Sequence, residues 1–445
     1  MNWMHAIDGF FFRRISANGF GLLRIAWAAT ALLFFLLQWR DVTFLYSGGG
    51  LISPELFGMA FRHEYRFSLL STYTDPLTVY LLYLLMLAMF FSAMIGYRTR
   101  FSTVTATLLL FSFHERNLLP LGGGDTMLRN LGFLLMVAPQ IHALSLDRAR
   151  EQWRQWDMDR KFLPPLTMSI WPWRLLLWQF VVIYIASGID KATGSMWWNG
   201  TAVASALHHV HFARWPMPVM DVISSASPLI GSAVLVFEFG WLLLLVPTRF
   251  AKRLHAYLHP HAIRRSLLLG GVLFHGAIFL LLDVGSFSIA MLSGYLGLLL
   301  DEDFADLRKW INRRRFTISV FYDAACHLCR RSMFVLLLLD HLHRMQAVNF
   351  RDAAQRKAYA PDLSFTDLDR SMHIKIINQQ TSKHVHQQTY HAFDAFRALC
   401  WHLPPLWPLA PFLYIPGIPP LGRKLYAHIA AKRNRCADGY CVHTR

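Results

Sequence analysis

Six stretches, residues 20–37, 77–97, 171–188, 229–247, 266–282 and 287–300, are almost free of charge and approach the length of a bilayer-crossing helix, about 20 apolar residues. In hydrocarbon every backbone N–H and C=O must be satisfied within the segment, so such runs are expected as helices. Between the second and third lies a weaker pair, 101–113 and 127–139, which brings the expected count to eight. Composition agrees: 54% of residues are hydrophobic and only 16% charged. The net charge of +17 then reads as loop cations rather than a nucleic-acid surface, because no polybasic tract with interleaved aromatics stands apart from the loops. With the N-terminus placed inside, fourteen loop Lys and Arg, among them Arg98, Arg148, Arg249, Lys252 and Arg253, fall on that side, against seven opposite. That asymmetry follows the positive-inside rule. An even helix count also brings Arg313–Arg315 inside. The chain is therefore expected to be a multi-pass protein of a bacterial inner membrane with both termini cytoplasmic and the lipid bilayer as its first partner.

From residue 317 the character changes. Residues 317–322 are β-branched and aromatic at strand length, and they lead through Asp323 into Cys326-His-Leu-Cys329, where an apolar helix (329–341) opens. Further strands are expected at 347–350 and 372–377, helices at 388–399 and 421–433, and turns between 350 and 372. A strand turning directly into C-x-x-C at a helix start is the layout of a thioredoxin-like redox site. The fold expected is thus a polytopic α-helical membrane domain of about eight helices (1–307) followed by a small α/β thioredoxin-like domain (308–445).

Two cysteines three apart on a first helical turn share a face. The helix N-terminus, with Arg330 and Arg331 nearby, favours the Cys326 thiolate. Cys326 is then the nucleophile and Cys329 the resolving thiol. Asp323 either opposes the thiolate or shuttles the resolving thiol's proton. A rival reading makes the pair half of a zinc site completed by Cys436 and Cys441, although their x4 spacing fits zinc poorly. No metal is expected. Cys400, in an apolar helix, reads as a core thiol.

Tyr322-Asp323-x-x-Cys326-x-x-Cys329 followed by Arg, with the late Tyr426…Ala431-x-Arg433-x-Arg435-Cys436 segment, resembles the DCC family of predicted thiol-disulfide oxidoreductases over about 317–441. Ala324 stands where that family usually has Gly, and Ser371-Met372-His373 lacks the proline that holds substrates in thioredoxins. The resemblance implies a protein-disulfide reductase type of activity that needs no cofactor and acts on a disulfide-bearing protein or small redox partner.

Polar residues inside apolar runs are costly and point to function. The densest group surrounds Lys191, in Ser187-Gly188-Ile-Asp-Lys191 before Trp197-Trp198; His275 lies within the 266–282 run, and Arg24 and Glu238 are embedded charges positioned to pair. Arg24, His114, Asn117, Asp125, Gly188, Lys191, Trp198, Gly200, His275 and Met291 stand in spaced blocks. Those blocks resemble the transmembrane (HTTM) domain of vitamin K-dependent γ-carboxylases over roughly 15–303. That resemblance implies a reduced quinone (menaquinone or vitamin K-like) and Lys191 as initiating base, with His114, Asn117, Asp125 and His275 around the same site. The large extracytoplasmic domain of those carboxylases is missing. Three functions follow as expectations: a membrane-anchored thiol-disulfide oxidoreductase, a quinone-dependent carboxylase-like enzyme, and a non-enzymatic maturation factor.

Overall fold

Among the described residues of the structure, a computed structural model, five helices are long and apolar enough to cross a membrane. The structure describes residues 3–61, 66–245, 260–312, 315–381, 384–431, 436–437 and 440–441. Four of the five are α1 (Asn18–Leu37), α2 (Pro76–Ile95), α5 (Trp171–Thr193) and α7 (Pro260–Leu281); the fifth is α6 (Ser227–Gly240) continued by the 3-10 turn Trp241–Leu245. The weaker pair forms α3 (Thr99–Arg116) and α4 (Gly123–Val137), and the sixth run forms the short α8 (Phe287–Gly297). The cations expected inside at Arg249, Lys252 and Arg253 lie outside the described residues, as do Arg313 and Arg314.

Local chemistry sets these ends. Asp75 caps α2 by accepting the Thr78 N–H at 2.8 Å, and Pro76 supplies a first residue that needs no N–H partner. Gly96 stops the helix at φ +70°, in a place where a Cβ would strike Ser145. The weakness of the α3 signal has a cause. Ser102, Thr103, Thr107 and Ser112 are buried inside the unit, with Thr107 Oγ1 donating to the Thr103 carbonyl at 2.8 Å. Outward faces of the long helices, such as Leu77, Leu81 and Phe91 on α2, remain exposed. Burying them requires an apolar solvent.

The chain divides into two compact units, Met1–Arg148 with Pro164–Asp301, and Ala149–Leu163 with Glu302–Arg445. This differs from a single division at 307/308, because a segment from between the apolar helices belongs to the second unit. Trp153, Trp156 and Phe162 pack around Phe334, at ring distances of 5.2, 6.0 and 5.7 Å.

The second unit is built on a four-stranded sheet of β1 (Arg315–Tyr322), β2 (Met345–Asn349), β3 (His373–Thr381) and β4 (His384–His391), in the order β2-β1-β3-β4. β1 and β2 are parallel, and the other pairs antiparallel. Helix α9 (His327–Leu339) makes the crossover and buries Met333, Phe334 and Leu336. Strand β4 corrects the expected helix at 388–399: the ladder runs to His391, and α10 (Ala392–Cys400) starts only there. The 350–372 region holds two short helices rather than turns alone, Ala353–Tyr359 and Phe365–Arg370, capped by Asp352 and Ser364. After two 3-10 turns, α11 (Ile418–Ala431) packs Gly422 against the Phe393 ring. Backbone register sets Cys436 opposite Cys441 in a terminal two-residue pairing.

Candidate functional site

Parallel pairing brings the C-terminal ends of β1 and β2 together, with Tyr322 opposite Asn349. Open α/β sheets place their sites at such ends. Leaving β1, the chain turns through Asp323, and Cys326 becomes the N-cap of α9, its Sγ accepting the Cys329 N–H at 3.4 Å. Both cysteines stand as thiols rather than as a disulfide. Cys326 is only 2% exposed, whereas Cys329 is half-buried and opens onto a cavity of about 120 Å³.

Asp323 is completely buried, and Arg351 grips its carboxylate with both arms, Nε to Oδ1 at 2.5 Å and Nη2 to Oδ2 at 2.9 Å. The Ala325 N–H donates to the same Oδ1 at 2.9 Å. Bidentate geometry of this kind is the strong form of an arginine–carboxylate pair. The carboxylate holds the Arg351 guanidinium above the usual arginine range, with Asp369 and Cys326 adding to that effect. Arg351 is thus a cation within electrostatic reach of Cys326. Arg330, expected to add positive field there, meets Asp157 at 3.2 Å and donates to the Ala324 carbonyl at 3.3 Å, and Arg331 is exposed. Asn349 braces the turn by accepting from the Ala324 and Arg351 N–H groups.

Neither Arg351 nor Asn349 was marked by the sequence. The available signal was their position at the end of a second expected strand.

The cavity beside Cys329 is walled by Met333, Leu368, Ser371, Met372 and Tyr426. Ser371 and Met372 occupy the approach to β3 where thioredoxins carry the substrate-holding proline. The Met372 N–H donates to Tyr426 Oη at 2.8 Å, so the late tyrosine of the DCC resemblance lines the cavity onto which Cys329 opens. Burial pushes the Cys400 thiol up to about 11, in keeping with a core thiol. The zinc alternative needs Cys436 and Cys441, whose side chains lie outside the described residues.

The first unit holds the other expected residues. Lys191 forms an ion pair with the buried Glu238 at 2.9 Å and also donates to Ser187 Oγ. This corrects the expected Arg24–Glu238 pair. Arg24 caps the end of α2, donating to the Ala93 carbonyl, and reaches the Leu144 carbonyl at 3.0 Å; helix-end carbonyls need partners, and a buried guanidinium has five donors. His114 stacks on Phe35 and lies 4.0 Å from Asp125. Asp125 accepts the Gly122 N–H and the Ser286 hydroxyl. Asn117 bonds the Leu45 carbonyl and the Leu119 N–H, which is the work of a loop brace. His275 Nε2 and Tyr184 Oη share a 2.7 Å hydrogen bond, and His275 packs against Phe287, the neighbour of Ser286. The structure therefore links His114, Asp125 and His275 through neighbouring contacts, while Lys191 is engaged by Glu238.

A strand, a buried Asp and a helix-capping dithiol thus meet at the first strand-to-helix turn of this α/β unit. Residues 320–438 match the family described as DCC1-like thiol-disulfide oxidoreductase, and the match leaves the N-terminal helices outside it. Searches of the curated proteins and of the solved structures returned no match.

Proposed function

We propose that this chain is a membrane-anchored thiol-disulfide oxidoreductase acting through Cys326 and Cys329, with the dithiol unit and both termini in the cytoplasm of a bacterial cell. The observation that carries it is the capping position of Cys326, with its Sγ on the Cys329 N–H and within reach of Arg351. Both effects favour a thiolate over a thiol. In the reductive direction the Cys326 thiolate attacks one sulfur of a substrate disulfide and releases the other as a thiolate. Cys329 then attacks the mixed disulfide and frees the substrate. Two electrons pass to the substrate, which takes up two protons, and the protein is left with an internal disulfide that a two-electron reductant must reopen. The intact chain in lipid nanodiscs, supplied with a dithiol reductant, should reduce insulin disulfides. Cys326→Ser should abolish the excess over the reductant alone, and equal rates for variant and parent would reject the proposal.

A second reading is favoured by orphaned polar atoms among the apolar helices. Glu238 Oε2, His275 Nδ1 and Trp241 Nε1 are buried without hydrogen-bond partners. Such atoms beside aromatic rings fit the polar head of an otherwise apolar molecule such as a quinone. Glu238, His275 and Tyr184 would hold it, and a reduced quinone would supply two electrons there. Lys191, paired to Glu238, would set the charge beside it. Loss of quinol consumption in Lys191→Ala supports this carboxylase-like reading, and unchanged consumption removes it.

A further inference from the structure

The second unit carries an apolar surface that its own fold leaves uncovered. Phe412 and Leu425 are each 60% exposed and Leu421 63%, and Trp407 and Ile415 stand out beside them. The 3-10 turn Pro411–Tyr414 packs on α11, so the two parts of the surface meet. Trp407 Nε1 donates to the Trp401 carbonyl at 3.0 Å, the Trp401 and Tyr414 rings lie 6.0 Å apart, and Arg397 sits over Tyr414 at 4.4 Å. Along α11 the outer stripe is Leu421 and Leu425, one turn apart, with Lys424 flanking it. The inner side is occupied: Gly422 meets Phe393, and Tyr426 reaches Met372.

Charge identifies the occupant. Arg397 and Arg423 share Asp394, each at 3.2 Å, and that is the one acidic residue between 394 and 435, against the six cations Arg397, Arg423, Lys424, Lys432, Arg433 and Arg435. Aromatic and aliphatic side chains in a segment with this net basic balance are the composition of a surface that lies in a membrane interface. Five helices of the same chain are able to cross a bilayer, so such a surface is always within the unit's reach.

We infer that the 401–429 face of the second unit docks on the anionic lipid surface, seating Phe412, Leu421 and Leu425 among headgroups and upper acyl chains. The inference rests on the membrane-anchored reading of the chain.

The test uses the intact protein in nanodiscs of phosphatidylcholine and phosphatidylglycerol containing a phospholipid with a diazirine in its acyl chain. After illumination, lipid adducts are mapped by peptide mass spectrometry. Adducts are expected on 401–429 peptides at a yield within about threefold of the α2 peptides, and a Leu421→Glu/Leu425→Glu double variant should lower the former about fivefold or more while α2 is unchanged. Replacing phosphatidylglycerol by phosphatidylcholine should also lower them. Labelled spans with a bare 401–429 face would overturn the docking inference alone, as would adducts indifferent to the double variant. Crosslinks between copies at this face in place of lipid adducts would assign it to a second copy and overturn it too. Spans that take no label would instead bring down the membrane-anchored reading itself.

Discussion

Arg351 meets both carboxylate oxygens of Asp323, at 2.5 and 2.9 Å, across the ends of two parallel strands. The pair fixes the turn that delivers Cys326 and supplies a buried anion with its counter-charge. Removing one partner leaves the other uncompensated, at a cost of about 3–5 kcal/mol. Arg351→Leu should therefore speed hydrogen exchange in β1 and α9 sharply. An Asp323→Leu/Arg351→Leu double variant should recover most of that protection, because a buried ion pair replaced by apolar groups is often neutral. Equal exchange in the single and double variants would show that the pair does not act as a unit.

Trapping separates the two sulfurs. Cys329→Ser should accumulate a mixed disulfide between Cys326 and a substrate protein on non-reducing gels, and Cys326→Ser should not. The reverse pattern would transfer the attacking role to Cys329, the thiol that opens onto the cavity.

Much of this site was legible in the sequence, and the reason is locality. Strand, Asp323, dithiol and helix follow one another within a few residues, so β-branched residues and Cys spacing sufficed. Arg351 reaches the site through parallel strand pairing, which no local pattern encodes. Residues 388–391 of β4 read as the start of a helix, and 384–387 as no element, because His384-Val-His-Gln-Gln-Thr-Tyr-His391 lacks the apolar alternation of a half-buried strand. The ion pair of Lys191 with Glu238 was missed for a similar cause. Embedded charges announce that they need partners, but not which helix provides them.

Trp156 is the anchor of the inserted segment, buried beside Phe334 and 6.3 Å from Tyr322. Trp156→Ala should cost the second unit about 3–5 kcal/mol. Limited proteolysis of the intact protein should then cut within 149–163 much faster than in the parent. An unchanged cleavage rate would mean that the segment is merely adjacent.

Acid should loosen the second unit through His402. Burial, helped by Arg344, lowers its pKa from 6.5 to about 4. Burial also lowers His341. The folded state thus binds fewer protons than the unfolded chain. Stability is level above about pH 6.5 and declines as the pH falls from there towards 4. Hydrogen exchange across a pH series, corrected for intrinsic rates, should show this slope in β1 and α10, and His402→Gln should flatten it. A slope of the opposite sign would contradict the assignment.

The unit that holds the dithiol is written in two pieces, Ala149–Leu163 and Glu302–Arg445, with the helices from α5 to α8 between them. During synthesis the first piece leaves the ribosome with nothing to pack against. At about 5–20 residues per second it waits on the order of tens of seconds for its sheet. The thiol site therefore matures only after the intervening apolar helices have been made. A chain stalled before its C-terminal third would expose Trp153 and Trp156 together, giving quality-control machinery a simple mark of unfinished assembly.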